Sequence, residues 1–144
     1  MSTGALVLHS PKLGPVAYDV DDVIDFVDGL PGFEHLHRFL LVTRDECAPF
    51  IFLTSMDEPD VALPLLPLAL AAGSMASELE AMARAALGDE PGFVAAYAVA
   101  RIGRAARDVA INLRAPVVVD LDARRGLQVI LSDDRLPVAA GLER

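Results

Sequence analysis

Apolar residues in this chain come in short runs, most of them too brief for a helix and rich in β-branched or aromatic side chains. "RFLLVT" at 38–43, "PFIFLTS" at 49–55 and "VALPLL" at 61–66 follow one another with only turn residues between them. Near the start, "ALVLHS" and "GPVAYDV" flank residues 11–14, which run from Pro11 to Gly14 and predict a hairpin. "DVIDF" places Val23 and Ile24 among acids. After Pro91-Gly92 come "FVAAYAVA", "DVAINL", "APVVVDL" and "LQVIL", each read as a strand. The last two bracket "DLDARRG", a predicted hairpin in which Gly126 supplies a positive φ at the end of the turn. "RIGRAARD" contains Gly103 and predicts another hairpin loop, carrying Arg101, Arg104 and Arg107.

Residues 74–88, "SMASELEAMARAALG", break this rhythm. Met75, Leu79, Met82, Ala86 and Leu87 recur at helical spacing, with charges on the other side. Ser74 is placed to cap the start, Ser77 and Glu80 could form a capping box one turn on, and Gly88 suits the C-terminal cap. The pattern therefore predicts one helix, over about residues 74–87. Many short strands with a single helix predict a mostly β chain folded as an antiparallel barrel or sandwich.

The 144 residues contain no repeat, low-complexity tract or linker, and are read as one domain spanning 1–144. With 53% hydrophobic residues the chain can bury a core without metals or disulfides. Cys47 is the only cysteine, which excludes an internal disulfide and suits a reducing cytoplasm. The first residues lack the basic start and long apolar stretch of a secretory signal. The most apolar segment, residues 61–73, is interrupted by Pro64 and Pro67 and falls short of the roughly 20 residues of a membrane span. It reads as a core strand and its connection. Net charge is −9, and it is unevenly spread: residues 1–90 carry 15 acids and 4 bases, residues 91–144 carry 6 acids and 8 bases. Such acidity repels a phosphate backbone and favours a basic protein partner.

Several stretches could carry chemistry. Leu30-Pro31-Gly32-Phe33 has proline and glycine where a type II turn needs them. The turn is read as a sharp corner that sets Phe33 against the core or a partner, in preference to a backbone nest for phosphate. His35 and His37 would share one face of a strand, and with His9 they make a conceivable metal set. No longer metal-binding spacing supports that set, so a solvated turn flank is the preferred reading and no metal or cofactor is implied. No serine sits in a G-x-S-x-G elbow, no Cys-His-Asn pattern is legible, and the glycines are scattered rather than gathered into a phosphate loop. No catalytic constellation emerges. What remains for partner contact are acids in turns, namely Asp57, Glu58, Asp60, Asp120, Asp122, Asp133 and Asp134, with Phe33 as the apolar candidate.

Three segments together resemble the flagellar assembly factor FliW family. "VDDVIDFVDGLPGFEHLHRFLLV" matches the family's acidic residue, apolar pair and Phe followed by Gly29-Leu30-Pro31-Gly32-Phe33. "PFIFLTSMDEPDVALPLLP" matches its strand, Ser-to-Pro turn and following apolar strand. "INLRAPVVVDLDARRGLQVIL" matches its signature at Asn112, Leu113, Ala115, Pro116, Gly126 and Gln128. The chain departs from the family in an alanine-rich stretch after residue 67, in Leu136 standing near the place of an aromatic residue, and in its histidine pair. The resemblance implies a small antiparallel β-barrel-like domain and a non-enzymatic regulator. It implies binding to CsrA, an RNA-binding translational repressor, so that repression of flagellin synthesis is relieved. It also implies binding to flagellin, which displaces the repressor, with no direct nucleic-acid or membrane contact. Two alternatives stand beside this: a cytoplasmic chaperone for a secreted filament subunit only, and a small metal-dependent enzyme using His9, His35 and His37.

Overall fold

A computed structural model describes residues 6–88, 92–103, 108–133 and 135–141. Strands β4 (Arg38–Thr43), β5 (Ile51–Ser55), β6 (Ala62–Pro67), β7 (Val94–Ile102) and β8 (Val109–Asp120) form an antiparallel meander, each paired with the next. β9 (Arg125–Gln128) folds back along β8. The two-residue β3 (Ile24–Asp25) pairs antiparallel with β4 and parallel with β9, meeting the latter at Asp25↔Arg125. That pair closes the ring from β3 round to β9 into a barrel. Outside the ring, β10 (Ala140–Gly141) lies along the first half of β8, and β1 (Leu6–Ser10) with β2 (Gly14–Tyr18) forms the N-terminal hairpin that the turn residues predict.

The apolar runs of β4 and β5 are continuous rather than alternating because both faces of these strands are covered. Phe39 and Leu53 point into the barrel with Ile24, Phe26, Leu65 and Val117. Leu40 and Val42 point outward and pack under Leu8 and Val16 of the N-terminal hairpin. Inside, the rings of Phe26 and Phe39 meet edge to face, with centroids 5.1 Å apart. Full burial of such side chains stabilises the fold by about 1.5–3 kcal/mol each. A second apolar layer covers β7 and β8 from outside. It combines Leu68 of α1 (Leu68–Ala71), Leu79 of α2 (Ala76–Ala85), and Leu131 and Leu136 of the C-terminal segment.

Four sequence expectations are corrected here. "DVAINL" and "APVVVDL" are one 12-residue strand, β8. Pro116 is tolerated inside it because the pairing with β7 jumps from Tyr97↔Val117 to Val99↔Asn112, so residues between bulge out of the ladder. Helix α2 starts at Ala76, and neither Ser74 nor the Ser77/Glu80 pair caps it; a 3-10 turn over Gly73–Met75 leads in instead, with the Met75 amide bonded to the Ala72 carbonyl. The buried stripe of α2 is Ala76, Leu79 and Ala83, continued by Leu87, while Met82 and Ala86 are exposed. Alanine at 83 lets the helix sit close against Val118. Gly88 does end this region with a φ of +108°. In the β8–β9 turn the positive φ belongs to Arg124, at +56°, and not to Gly126. Gly126 is required for closeness: a Cβ there would lie 2.4 Å from Cζ of Phe26.

Candidate partner-binding surface

The corner between β3 and β4 is built by its turn residues. Gly32 has a φ of +87°, the Phe33 amide donates to the Leu30 carbonyl at 2.7 Å, and Leu30 is pulled into the barrel. This is the type II turn that Pro31-Gly32 predicts. Phe33 is half-buried and packs on the barrel core, so part of its ring remains at the surface. Gly29 also has a positive φ, and a Cβ there would come within 2.7 Å of the Glu34 Cα, so the corner admits no side chain at this point. The Glu34 carboxylate accepts from the Gly32 amide at 3.1 Å, which holds its pKa below the usual value.

The structure brings this corner against the acidic loop after β5. His35 Nε2 lies 2.9 Å from a Glu58 carboxylate oxygen, and Arg38 donates to Asp57 at 2.8 Å. The Arg38 hydrogen bond lowers the Asp57 pKa. Ser55 Oγ accepts from the amides of Asp57 and Glu58 and so fixes the loop's shape. Asp60 is exposed at the end of this loop. These pairings were not legible in the sequence, because residues 35 and 58 meet only once β4 and β5 are in register at Phe39↔Ser55. His37 turns the other way, with Nδ1 3.0 Å from the Phe26 carbonyl oxygen, and His9 lies on β1 opposite Pro15. The histidines thus have separate surroundings, and no group of three or more metal-ligating side chains exists among the described residues.

Asp120 and Asp122 close the barrel end beside β9. The register runs from Ser55 beside Phe39, through Arg38, Asp25 and Arg125, to Asp120, so the loops after β5 and β8 leave from the same end. Asp120 is nevertheless no surface acid. It is 3% exposed, and its carboxylate accepts from the amides of Gly92, Asp122 and Ala123, each at 3.0 Å. Those amides hold its pKa low. The acid picked from the sequence as a partner contact is thus a buried organiser of its turn. Asp122 is exposed and accepts from the Phe93 amide at 3.0 Å. Asp133 lies elsewhere, on the C-terminal segment, where Arg135 binds it at 2.6 Å and depresses its pKa to about 2. Asp134, Arg104 and Arg107 fall outside the described residues.

The signature residues of the third segment meet at the β8 bulge. Asn112 Oδ1 accepts from the Arg114 amide at 2.9 Å, and Gln128 Nε2 donates to the Ala115 carbonyl at 2.9 Å. Leu113, Ala115 and Pro116 are buried there, and Arg114 reaches the Leu136 carbonyl. Signature residues thus build both the Gly29–Phe33 corner and this bulge. A family model described as FliW protein matches residues 7–142, which includes both.

The chain belongs to the FliW family.

Among individual proteins, the flagellar assembly factor FliW of Carboxydothermus hydrogenoformans is 35% identical over 130 residues, covering 90% of this chain and 84% of that protein. The flagellar assembly factor FliW of Caldanaerobacter subterraneus is 29% identical over 130 residues, covering 89% and 87%. A crystal structure of the flagellar assembly factor FliW superposes with a TM-score of 0.80 over 96% of this chain and 98% of that one, at 24% identity, and shares the FliW fold. The mostly β, barrel-like architecture with one main helix is that of this FliW structure. No helix among the described residues is long and apolar enough to cross a membrane.

Proposed function

We propose that this chain is a single-domain, non-enzymatic regulator of flagellar assembly in the cytoplasm. It binds the translational repressor CsrA, so that flagellin synthesis is released, and it also binds flagellin, which displaces the repressor. The observation that carries this reading is membership of an assembly-factor family over nearly the whole chain, residues 7–142. The charge of −9 supports a basic protein partner and opposes direct contact with nucleic acid. The exposed acids Glu58, Asp60 and Asp122, with Asp57 and Phe33, form the contact surface; no cofactor takes part.

The test is fluorescence anisotropy of a flagellin-leader RNA bound to the cognate CsrA, titrated with this protein and then with flagellin. Release of the RNA, reversed by flagellin, is the expected result. RNA that stays bound, with flagellin still captured, selects the filament-subunit chaperone instead. Reversing charge at Asp57 and Glu58 should weaken repressor binding by roughly 1 kcal/mol at low salt, and by less at high salt. Equal affinity of variant and parent at both salts removes these two residues from the surface.

A further inference from the structure

β9 is fully paired along one edge only. Against β8 its ladder runs from Arg125 to Gln128, and the amides of Val129 and Leu131 carry it on to the carbonyls of Pro116 and Arg114. Those bonds fall on odd-numbered residues, so the N–H and C=O groups of Gln128 and Ile130 point away from β8. On that side β3 meets β9 at Asp25↔Arg125 and nowhere further along. The chain then leaves at Phe26 for the corner over residues 26–37. Beyond this point the peptide groups of Gln128 and Ile130 have no hydrogen-bond partner among the described residues.

A trough lies along this free edge. It consists of two hollows of about 200 and 270 Å³ that share Asp28 and Leu127 as walls. Each is smaller than the roughly 300–1,000 Å³ of small-molecule sites, and the pair is drawn out along a strand rather than enclosed. Val27, 68% exposed, lines the first hollow. Asp28 and Glu34 line it, and Arg125 lines the first hollow too, its guanidinium engaged with the Leu87 carbonyl at 3.4 Å. Free donors and acceptors in a row, apolar flanks and acidic walls together describe a place for one more strand. An added strand would sit about 4.8 Å from β9 and satisfy the open peptide groups. We infer that the open edge of β9 takes up an extended segment of a partner protein, with alternating apolar and basic residues, as an added β-strand. Its apolar side chains cover Val27 and Leu127, and its basic ones face Asp28 and Glu34. A second copy of this chain is a poor occupant, because its acidity repels these walls.

The probe is a blocked peptide of alternating valine and lysine, compared with the same peptide N-methylated at every residue. N-methylation keeps charge and apolar surface but removes every amide donor. Binding is followed by calorimetry and by amide exchange in the full chain. The expected result is binding that protects the Gln128 and Ile130 amides and weakens at least about tenfold on N-methylation, as the loss of two or more hydrogen bonds implies. Ile130→Pro, which removes an outward amide at an exposed position, should weaken binding while Ile130→Thr does not. Equal binding of both peptides, protection elsewhere on the barrel, or no binding at about 1 mM, the weak end of association, overturns the inference. None of these outcomes depends on whether CsrA or flagellin is a partner.

Discussion

A methyl group at position 126 would occupy space already held by the Phe26 ring. Gly126→Ala forces Phe26 out of its edge-to-face contact with Phe39 and should cost about 1–3 kcal/mol, the usual range for overpacking. Urea titration of variant and parent measures it, and an unchanged midpoint means that Phe26 can yield freely. The sequence marks Gly126 as a turn glycine, because a turn glycine and a close-approach glycine look alike; the structure shows that it is the second kind. Gly32 is the contrasting case: Pro31 before it names the turn type, and the turn is there. Asp57 and Glu58 were legible as acids in a turn, but their pairing with Arg38 and His35 was not, because it depends on strand register. Asp120 looks like another turn acid for a similar reason: nothing local reveals that three amides converge on it.

Elements were more legible than their edges. Nearly every strand of the barrel can be found as an apolar run, because β-branched and aromatic residues mark it whether one face or both are buried. Where a strand bends through a proline, as β8 does at Pro116, the run looks like two strands. Helix α2 is legible from its period, but spacing alone turns the buried stripe toward the bulky Met82, whereas the structure buries the smaller Ala83. That difference is measurable. Ala83→Leu should destabilise the protein by about 1–3 kcal/mol through overpacking, whereas Met82→Lys should stay within about 0.5 kcal/mol. The reverse order in thermal melts would restore the stripe inferred from spacing.

At the scale of the whole molecule, charge and protonation act in opposite directions. Lowering the pH toward the sequence pI of about 4.6 relieves the repulsion of an acidic chain. Below that, the carboxylates with depressed pKa values take over. Arg38 lowers Asp57, backbone amides lower Asp120 and Glu34, and Arg135 holds Asp133 at about 2. These groups are easier to protonate in the unfolded chain, where aspartate titrates near about 3.9. The stability they contribute is complete above that pH and is lost as the pH falls through the folded-state values. The melting temperature should therefore be highest near pH 5 and fall from about 4 toward about 2. Asp133→Asn should flatten part of that fall, and a melting temperature constant down to pH 2 would show that the pairings do not act.

The closure at Asp25↔Arg125 also has a kinetic consequence. Every other contact around the ring joins neighbours in the chain, from β3–β4 through to β8–β9. The seam alone joins residues 100 positions apart, and ordering so long a loop for one pair of residues is entropically expensive. Folding should begin in the meander and latch at the seam last, after the transition state. Ile24→Ala, beside the latch, should then speed unfolding and leave refolding almost unchanged, so the time the barrel stays shut is set by its smallest strand.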